Sequence, residues 1–273
     1  MAPFHCLTFL TDYGLEDSFV AVCHAVAFQI APDLRIIDIT HLIPLGDIRR
    51  AAVVLAQAVA YFPPAVHVAV VDPGVGTARR AVAVQAGDSF FVGPDNGLLS
   101  LAVTASGGAS RAVSLTNQRM WRDSPSATFH GRDIFMPVAA RLAAGTPLAA
   151  AGDPVDVASL VTLPRLDCRL AGGTAYLEVV TADRFGNLQL SLRGADAPRA
   201  GLVSGVTVTV AWDGGEVTAP FVRAFGDVEP GAVLCYLDSG DWVAVAVSGG
   251  DAARRLGLRA GAKVTLTARR PAT

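Results

Sequence analysis

Residues 66–71, Val-His-Val-Ala-Val-Val, form a near-continuously apolar run in which His67 is the one polar side chain. They then break at once into Asp72-Pro73-Gly74-Val75-Gly76-Thr77-Ala78-Arg79-Arg80. A strand with no polar face must be covered from both sides, which is the condition of a central strand in a parallel sheet flanked by helices. In such a fold the chemistry gathers at the carboxyl ends of the strands. The pattern recurs where Leu7-Thr8-Phe9-Leu10 ends in Thr11-Asp12-Tyr13-Gly14, and again at Gly93-Pro94-Asp95-Asn96-Gly97. Thr128-Phe129-His130-Gly131-Arg132-Asp133 places a further polar turn before an apolar segment. Turns of this kind, rich in Asp, Arg, Asn and His, point to one polar pocket.

The rest of the first half alternates strand and helix. Helices are expected over 17–30, 47–61 and 131–144, with Pro32 and Pro63-Pro64 closing the first two. Strands are expected over 35–39, 81–85 and 89–92, the last two paired across Gly87-Asp88. This order predicts an α/β domain with a mostly parallel sheet flanked by helices. Residues 146–169 are rich in Pro, Asp and Gly without periodicity and read as a linker. Beyond it the chain is β-rich, with strands expected over 174–181, 187–191, 206–212, 216–219, 233–236, 242–247 and 262–267 and a short helix over 251–256. Short strands separated by Gly-rich turns suggest a small barrel or sandwich. The domains are read as 1–168 and 169–273.

Composition excludes several classes. A chain of 273 residues that is 52% hydrophobic and 17% charged is not disordered. A net charge of -2 provides no footprint for nucleic acid or an anionic membrane. No apolar run reaches the ~18 residues of a membrane span, and no secretory leader is expected. Cys6, Cys23, Cys168 and Cys235 form no Cys-x-x-Cys pair, and three sit in apolar surroundings as structural thiols. A cytoplasmic protein is expected. Lys263, the single lysine, falls in a strand-like segment and reads as solvated, which disfavours Schiff-base chemistry.

No P-loop is present, Gly74-Val75-Gly76 does not complete a dinucleotide fingerprint, and there is no Gly-x-Ser-x-Gly elbow. Asp72 is either a turn former beside Pro-Gly or a functional carboxylate at a strand end. Asp12 has the same placement and suits a ribose diol. Asp95-Asn96-Gly97 also carries a turn signature. Asp38, Thr40, His41 and Asp47, taken with Asp72 and His130, match no metal-ligand spacing, so no metal is expected. His130 stands at a glycine turn before a helix. Asp183-Arg184-Phe185-Gly186-Asn187 is either an ordinary hairpin or a holder for an amino acid's ammonium and carboxylate.

Six segments in order carry a resemblance: Thr11-Asp12-Tyr13-Gly14, Asp38-Ile39-Thr40-His41, Val71-Asp72-Pro73-Gly74-Val75-Gly76, Gly93-Pro94-Asp95-Asn96-Gly97, Phe129-His130-Gly131-Arg132-Asp133 and Asp183-Arg184-Phe185-Gly186-Asn187. The chain resembles the SAM hydroxide adenosyltransferase family, hydrolytic relatives of the SAM-dependent fluorinase and chlorinase. It extends to Asp238-Ser239-Gly240 and Gly249-Gly250-Asp251-Ala252-Ala253 and covers nearly the whole chain. It implies hydrolysis of S-adenosyl-L-methionine (SAM) to adenosine and L-methionine by water attack at C5', with no cofactor. It also implies a homotrimer with sites at subunit interfaces.

The family's catalytic set falls on Asp72, Arg79 and His130, and its ribose ligand on Asp12. Its methionine-binding pair falls on Asp183 and Asn187, flanking Phe185, with Ser239 on the carboxylate. Asp95 and Asn96 join the substrate-binding set. Phe225, Val247 and Gly249 match the adenine region, so the second domain is expected to take the methionine and adenine ends. Two departures stand beside these matches: Gly240 replaces the Arg of the halogenating enzymes, and Asp238 replaces the usual Asn. Those enzymes also have Tyr at the place of Asp72 and an extra loop that has no room between Thr77 and His130. The alternatives are a chlorinase-like halogenase and a non-catalytic module binding SAM or adenosine.

Overall fold

A computed structural model of the chain describes residues 4–269, which divide into two compact units between Leu163 and Pro164. The first contains β1 (Cys6–Thr11), α1 (Phe19–Ile30), β2 (Arg35–Thr40), α2 (Ile48–Val59), β3 (Val66–Val70), β4 (Ala81–Ala86), β5 (Ser89–Pro94), α3 (Ser100–Ala105), β6 (Ala109–Ser114), α4 (Met136–Ala143) and β7 (Asp153–Val155). The seven strands lie in the order β2-β1-β3-β5-β4-β6-β7. β2, β1, β3 and β5 are parallel; β4, β6 and β7 extend the sheet by antiparallel pairing.

The two-sided burial expected for β3 is present. Val66, Val68 and Val70 face a core built with α1 and α4, where Cys23, Ala27, Val138 and Leu142 pack. Ala69 and the following Val71 face the opposite core with α2 and α3, among Ala52, Leu55, Ala102 and Val103. Period-two alternation thus places apolar groups on both faces. Asp47 starts α2 by accepting the Arg50 N–H at 2.8 Å, and the helix ends before Pro63.

Three stretches differ from the sequence expectation. The single helix expected over 131–144 is a π-helical turn, Gly131–Phe135, followed by α4. Pro137 has no N–H to offer the carbonyl of Asp133 four residues earlier; that carbonyl accepts the Arg122 N–H at 2.9 Å instead. The short α3 and the edge-side β6 were not signalled by periodicity. Most of the stretch read as linker belongs to the first unit. β7 pairs with β6, and Thr116 Oγ1 donates to Asp153 at 2.8 Å while accepting the Asp153 N–H at 3.1 Å.

The second unit contains β8 (Cys168–Ala171), β9 (Thr174–Ala182), β10 (Leu188–Arg193), β11 (Thr207–Trp212), β12 (Gly215–Pro220), β13 (Val233–Leu237), β14 (Trp242–Val247), α5 (Ala252–Leu256) and β15 (Lys263–Arg269). The path β12-β11-β15-β9-β10-β14-β13 is antiparallel throughout, and β8 adds to β9. Its ends approach through Val222 N–H to Cys235 O at 2.8 Å, giving a nearly closed barrel. Asp251 caps α5 and Gly257 ends it in the left-handed region. Cys6, Cys23 and Cys235 are buried, Cys168 is exposed, and exposed Lys263 pairs with Asp167 and Glu178.

His67 sits inside the first unit, its Nδ1 2.8 Å from Thr8 Oγ1 and its ring stacked on Phe91. Burial lowers its pKa from 6.5 to about 4. As the pH falls from 6.5 towards 4, the unfolded chain takes up a proton that the folded chain refuses. Folding stability should therefore fall over that window by roughly 3 kcal/mol from this group. Urea unfolding of wild type and His67→Gln across the window checks this. The variant should show a shallower pH dependence, and equal slopes would remove His67 as the source.

Candidate active site

The carboxyl ends of β1 and β3 open into a cleft of about 460 Å³, lined among others by Asp12, Tyr13, Asp72, Phe129 and His130. Asp72 directly follows the buried β3–Val71 run, and the chain then folds back through Val75 N–H to Asp72 O at 3.1 Å and Thr77 N–H to Gly74 O at 3.2 Å. Gly76 carries φ +77°, and a Cβ there would meet Ala127 O at 2.7 Å. Only glycine meets both conditions. This compact turn returns Arg79 to Asp72.

Arg79 grips Asp72 with two donors: Nε to Oδ1 at 3.0 Å, and Nη2 to Oδ2. Both side chains are buried, at 9% and 6% exposure, and the guanidinium lies 5.3 Å from the Phe135 ring centroid. The forked geometry is the strong form of an Arg–carboxylate pair. Arg79 Nη2 also reaches His130 Nδ1 at 3.2 Å. A guanidinium can only donate, so Nδ1 accepts and the proton of the neutral ring resides on Nε2. Burial holds the His130 pKa below its ordinary value, reinforced by Arg79 and opposed by Asp72 and Asp133.

His130 is placed by the π-helical turn it precedes, and Asp133 anchors that turn. Fully buried Asp133 accepts from Arg122 Nη1 at 3.0 Å, the Ser126 N–H at 2.8 Å, and Arg132 Nε and Nη2 at 2.7 and 2.8 Å. Burial pushes its carboxyl up, but these donors outweigh it and hold the pKa below the ordinary value. Asp12 Oδ2 accepts the Gly46 N–H at 2.9 Å at another edge of the cleft. Tyr13, Phe19 and Phe129 meet edge to face with centroids 5.4–6.1 Å apart and wall one side. Phe19 and Leu45 leave 43% and 92% of their surface exposed. Tyr13 lies in a motif legible in the sequence, yet nothing there signalled that its ring lines the cleft; Phe19 and Leu45 were likewise unsignalled.

Asp95 and Asn96 are held differently. Asp95 accepts from Arg80 Nε at 2.9 Å and from the Val161 N–H at 2.8 Å. Asn96 Nδ2 donates to Val71 O at 2.9 Å and thereby steadies the chain just before Asp72. Of the set weighed for a metal, Asp47 caps α2, Thr40 Oγ1 accepts the Leu42 N–H at 3.1 Å, and Asp38 meets His41.

In the second unit, Asp183 Oδ1 accepts the N–H groups of Phe185 and Asn187, both at 2.9 Å, and Oδ2 accepts from Asn187 Nδ2 at 2.8 Å. Gly186 is required between them, since its φ is +82° and a Cβ would lie 2.1 Å from Asp251 Oδ1. Asp238 Oδ1 accepts from the Gly240 and Trp242 N–H groups, shaping the turn that exposes Ser239. Tyr236 lies within the electrostatic reach of Asp183 and Asp238. Burial first, then those two charges, pushes its pKa up to about 12. Phe225 packs on Tyr236 with centroids 5.0 Å apart, and its carbonyl accepts from Ser248 Oγ at 3.1 Å between buried Val247 and exposed Gly249.

A buried acid–Arg–His set in a cleft at strand ends is the arrangement of an enzyme site, and comparisons with known proteins agree. Residues 7–152 match the SAM hydroxide adenosyltransferase N-terminal domain and 177–265 match its C-terminal domain. The chain belongs to the SAM hydroxide adenosyltransferase family. It is 52% identical over 271 residues to the (R)-S-adenosyl-L-methionine hydrolase of Salinispora tropica, covering 98% of this chain and 100% of that one. A crystal structure of an uncharacterised conserved protein from Thermotoga maritima superposes with a TM-score of 0.90 at 36% identity, covering 96% and 99% of the two chains. A fluorinase from Nocardia brasiliensis is more distant, 26% identical over 286 residues, covering 94% and 95%.

Gly131 gives a direct test of the cleft wall. A Cβ at this position would stand 2.0 Å from Tyr13 Oη, with the next atom, Cζ, at 3.1 Å. Gly131→Ala should destabilise the chain by about 1–3 kcal/mol through overpacking. Adding Tyr13→Phe removes the clashing oxygen and should restore most of the loss. Urea denaturation of the single and double variants decides it, and simple additivity would contradict the close approach.

Proposed function

We propose that this chain is an enzyme that hydrolyses (R)-S-adenosyl-L-methionine to adenosine and L-methionine. The observation that carries this reading is the Asp72–Arg79–His130 set, locked by hydrogen bonds at the end of a strand buried on both faces. The near-full-length relative named for this reaction supports it and supplies the (R) configuration at sulfur.

The substrate is already activated, because a sulfonium leaves as a neutral thioether. The protein must hold one water in line with the C5'–S bond and keep other solvent away. The water oxygen forms the new bond to C5', the C5'–S electron pair stays on sulfur, and a water proton is released. Asp72 takes that proton. Its carboxylate keeps free lone pairs beside the bidentate Arg79 contact, whereas Nδ1 of His130 is already engaged as an acceptor. His130 orients the water through its Nε2–H, and Arg79 fixes both partners. Asp12 holds the ribose, and Asp95 and Asn96 support the strand end beside it. Asp183, Asn187 and Ser239 hold the methionine end next to Phe185. Phe225, Val247 and Gly249 border the adenine. The reaction needs no cofactor.

The two groups of binding residues lie in separate units of the chain, and a homotrimer would bring units of neighbouring subunits to one ligand. The exposed apolar side chains at the cleft, Phe19 and Leu45, and Phe185 in the second unit support such a contact. Among the described residues no helix is long and apolar enough to cross a membrane, and the chain is read as a cytoplasmic enzyme. A chlorinase-like activity is disfavoured by Asp72, and simple binding without turnover by the intact catalytic set.

Incubation with SAM in isotopically labelled water should place the label in the 5'-hydroxyl of adenosine. Unlabelled adenosine, 5'-chloro-5'-deoxyadenosine formed with chloride, or no turnover would each overturn the reading. Asp72→Asn and His130→Ala should each lower kcat by roughly 10²–10⁴-fold with little change in substrate affinity. Equal losses in binding and turnover would reassign both residues to holding the ligand.

Asp12→Ala and Asp183→Ala should each be inactive alone. If each site takes Asp12 from one subunit and Asp183 from the next, random re-association of an equal mixture should restore about one quarter of the wild-type activity. No recovery after demonstrated subunit exchange, or full wild-type activity in a monomer, would remove the shared site.

A further inference from the structure

Away from the Asp72 cleft, three side chains from separate parts of the sequence converge. His24 Nε2, on α1, lies 2.9 Å from Asp38 Oδ1, on β2, and His41 Nε2, just beyond β2, lies 3.1 Å from the same oxygen. The three atoms fall within 4.8 Å of one another. We propose that His24, Asp38 and His41 form a binding site for a divalent transition-metal ion of the zinc class, with two imidazole nitrogens and one carboxylate oxygen as protein ligands.

His41 carries the argument. Its side chain is 2% exposed, and its Nε2 is buried without a hydrogen-bond partner even though Asp38 is close. The contact is near enough for a charged pair but lacks hydrogen-bond geometry. An orphaned buried nitrogen is costly, and a metal ion would satisfy it. The other ring nitrogen, Nδ1, meets Thr11 Oγ1 at 2.8 Å. A second partner of this kind fixes ring orientation in metal-binding histidines. The Phe9 ring packs against both imidazoles, with centroids 4.9 Å from His41 and 6.1 Å from His24, and backs the site with apolar surface.

The spacing suits the ion. Metal–ligand bonds of about 2.0–2.1 Å in tetrahedral geometry hold donor atoms about 3.3 Å apart, so the two His–Asp38 contacts, at 2.9 and 3.1 Å, need open by only a few tenths of an ångström. Asp38 and His24 side chains are 39% and 34% exposed, which provides an entry path and room for solvent as a further ligand. Two imidazoles with one carboxylate suit zinc and its neighbours better than calcium or magnesium. The consequence is structural: the ion would tie α1 to the end of β2. The His41 carbonyl accepts the Gly14 N–H at 2.8 Å, so the same clamp would steady the turn carrying Asp12 and Tyr13.

The test uses the full chain, stripped with a chelator and titrated calorimetrically with zinc chloride. Wild type and His130→Ala should each bind one zinc per chain in a chelator-reversible manner. Thr11→Val should weaken binding by roughly 10–100-fold, the cost of an outer partner, and His24→Ala by more than that. Zinc should raise the Tm of wild type but not of His24→Ala, whose fold is checked by circular dichroism. His24→Gln provides a second variant at this partly exposed position. No zinc uptake by wild type, equal uptake by wild type and both His24 variants, or loss of uptake in His130→Ala would overturn the site.

Discussion

The burial of β3 on both faces is the constraint on which the site depends. Val66, Val68 and Val70 commit one face to α1 and α4, and Ala69 with Val71 commits the other to α2 and α3. A strand held this way cannot slip by one residue without turning each face onto the wrong core. The strand end is therefore a fixed point. Asp72 inherits that rigidity, and Asn96 reinforces it by bonding the Val71 carbonyl.

From that fixed point the electrostatics propagate outward in sequence. Asp72 orients Arg79, and Arg79 sets the tautomer of His130 by leaving its Nδ1 no choice but to accept. The turn that follows His130 is anchored by a separate charge cluster, Asp133 with Arg122 and Arg132. The imidazole is thus oriented by one ion pair, and the backbone that carries it is anchored by another. Side chains held in this manner need little reorganisation when charge develops beside them.

Legibility in the sequence followed the range of the interactions. β1 and β3 were readable because their burial is written in continuous apolar runs, and the β4–β5 hairpin because Gly87-Asp88 separates two such runs. The β-rich second half was visible in its turns, and the polar residues of the cleft in their glycine-rich neighbourhoods. β6 and β7 were hidden because their residues, among them Ser110, Arg111, Asp153 and Pro154, follow no strand-like pattern; β6 is set by pairing with β4, and β7 by pairing with β6 and by Thr116. Tyr13, Phe19 and Leu45 reach the cleft only through tertiary placement. His24 is the clearest case. It lies 14 residues before Asp38 on a helix, a spacing that belongs to no ligand motif, and only packing of α1 on the sheet joins them.

The π-helical turn at Gly131–Phe135 has a consequence for how this chain tolerates change in length. A wide turn accommodates one more residue than an α-turn, so His130 and α4 are out of phase with a regular helix. Each residue of an α-helix advances about 100° around the axis. Deleting a residue here would let the backbone close into ordinary pitch, yet it would swing whatever occupied position 130 away from Arg79. The segment is thus a phase shifter: its length sets a direction, independently of the identities of the side chains it carries.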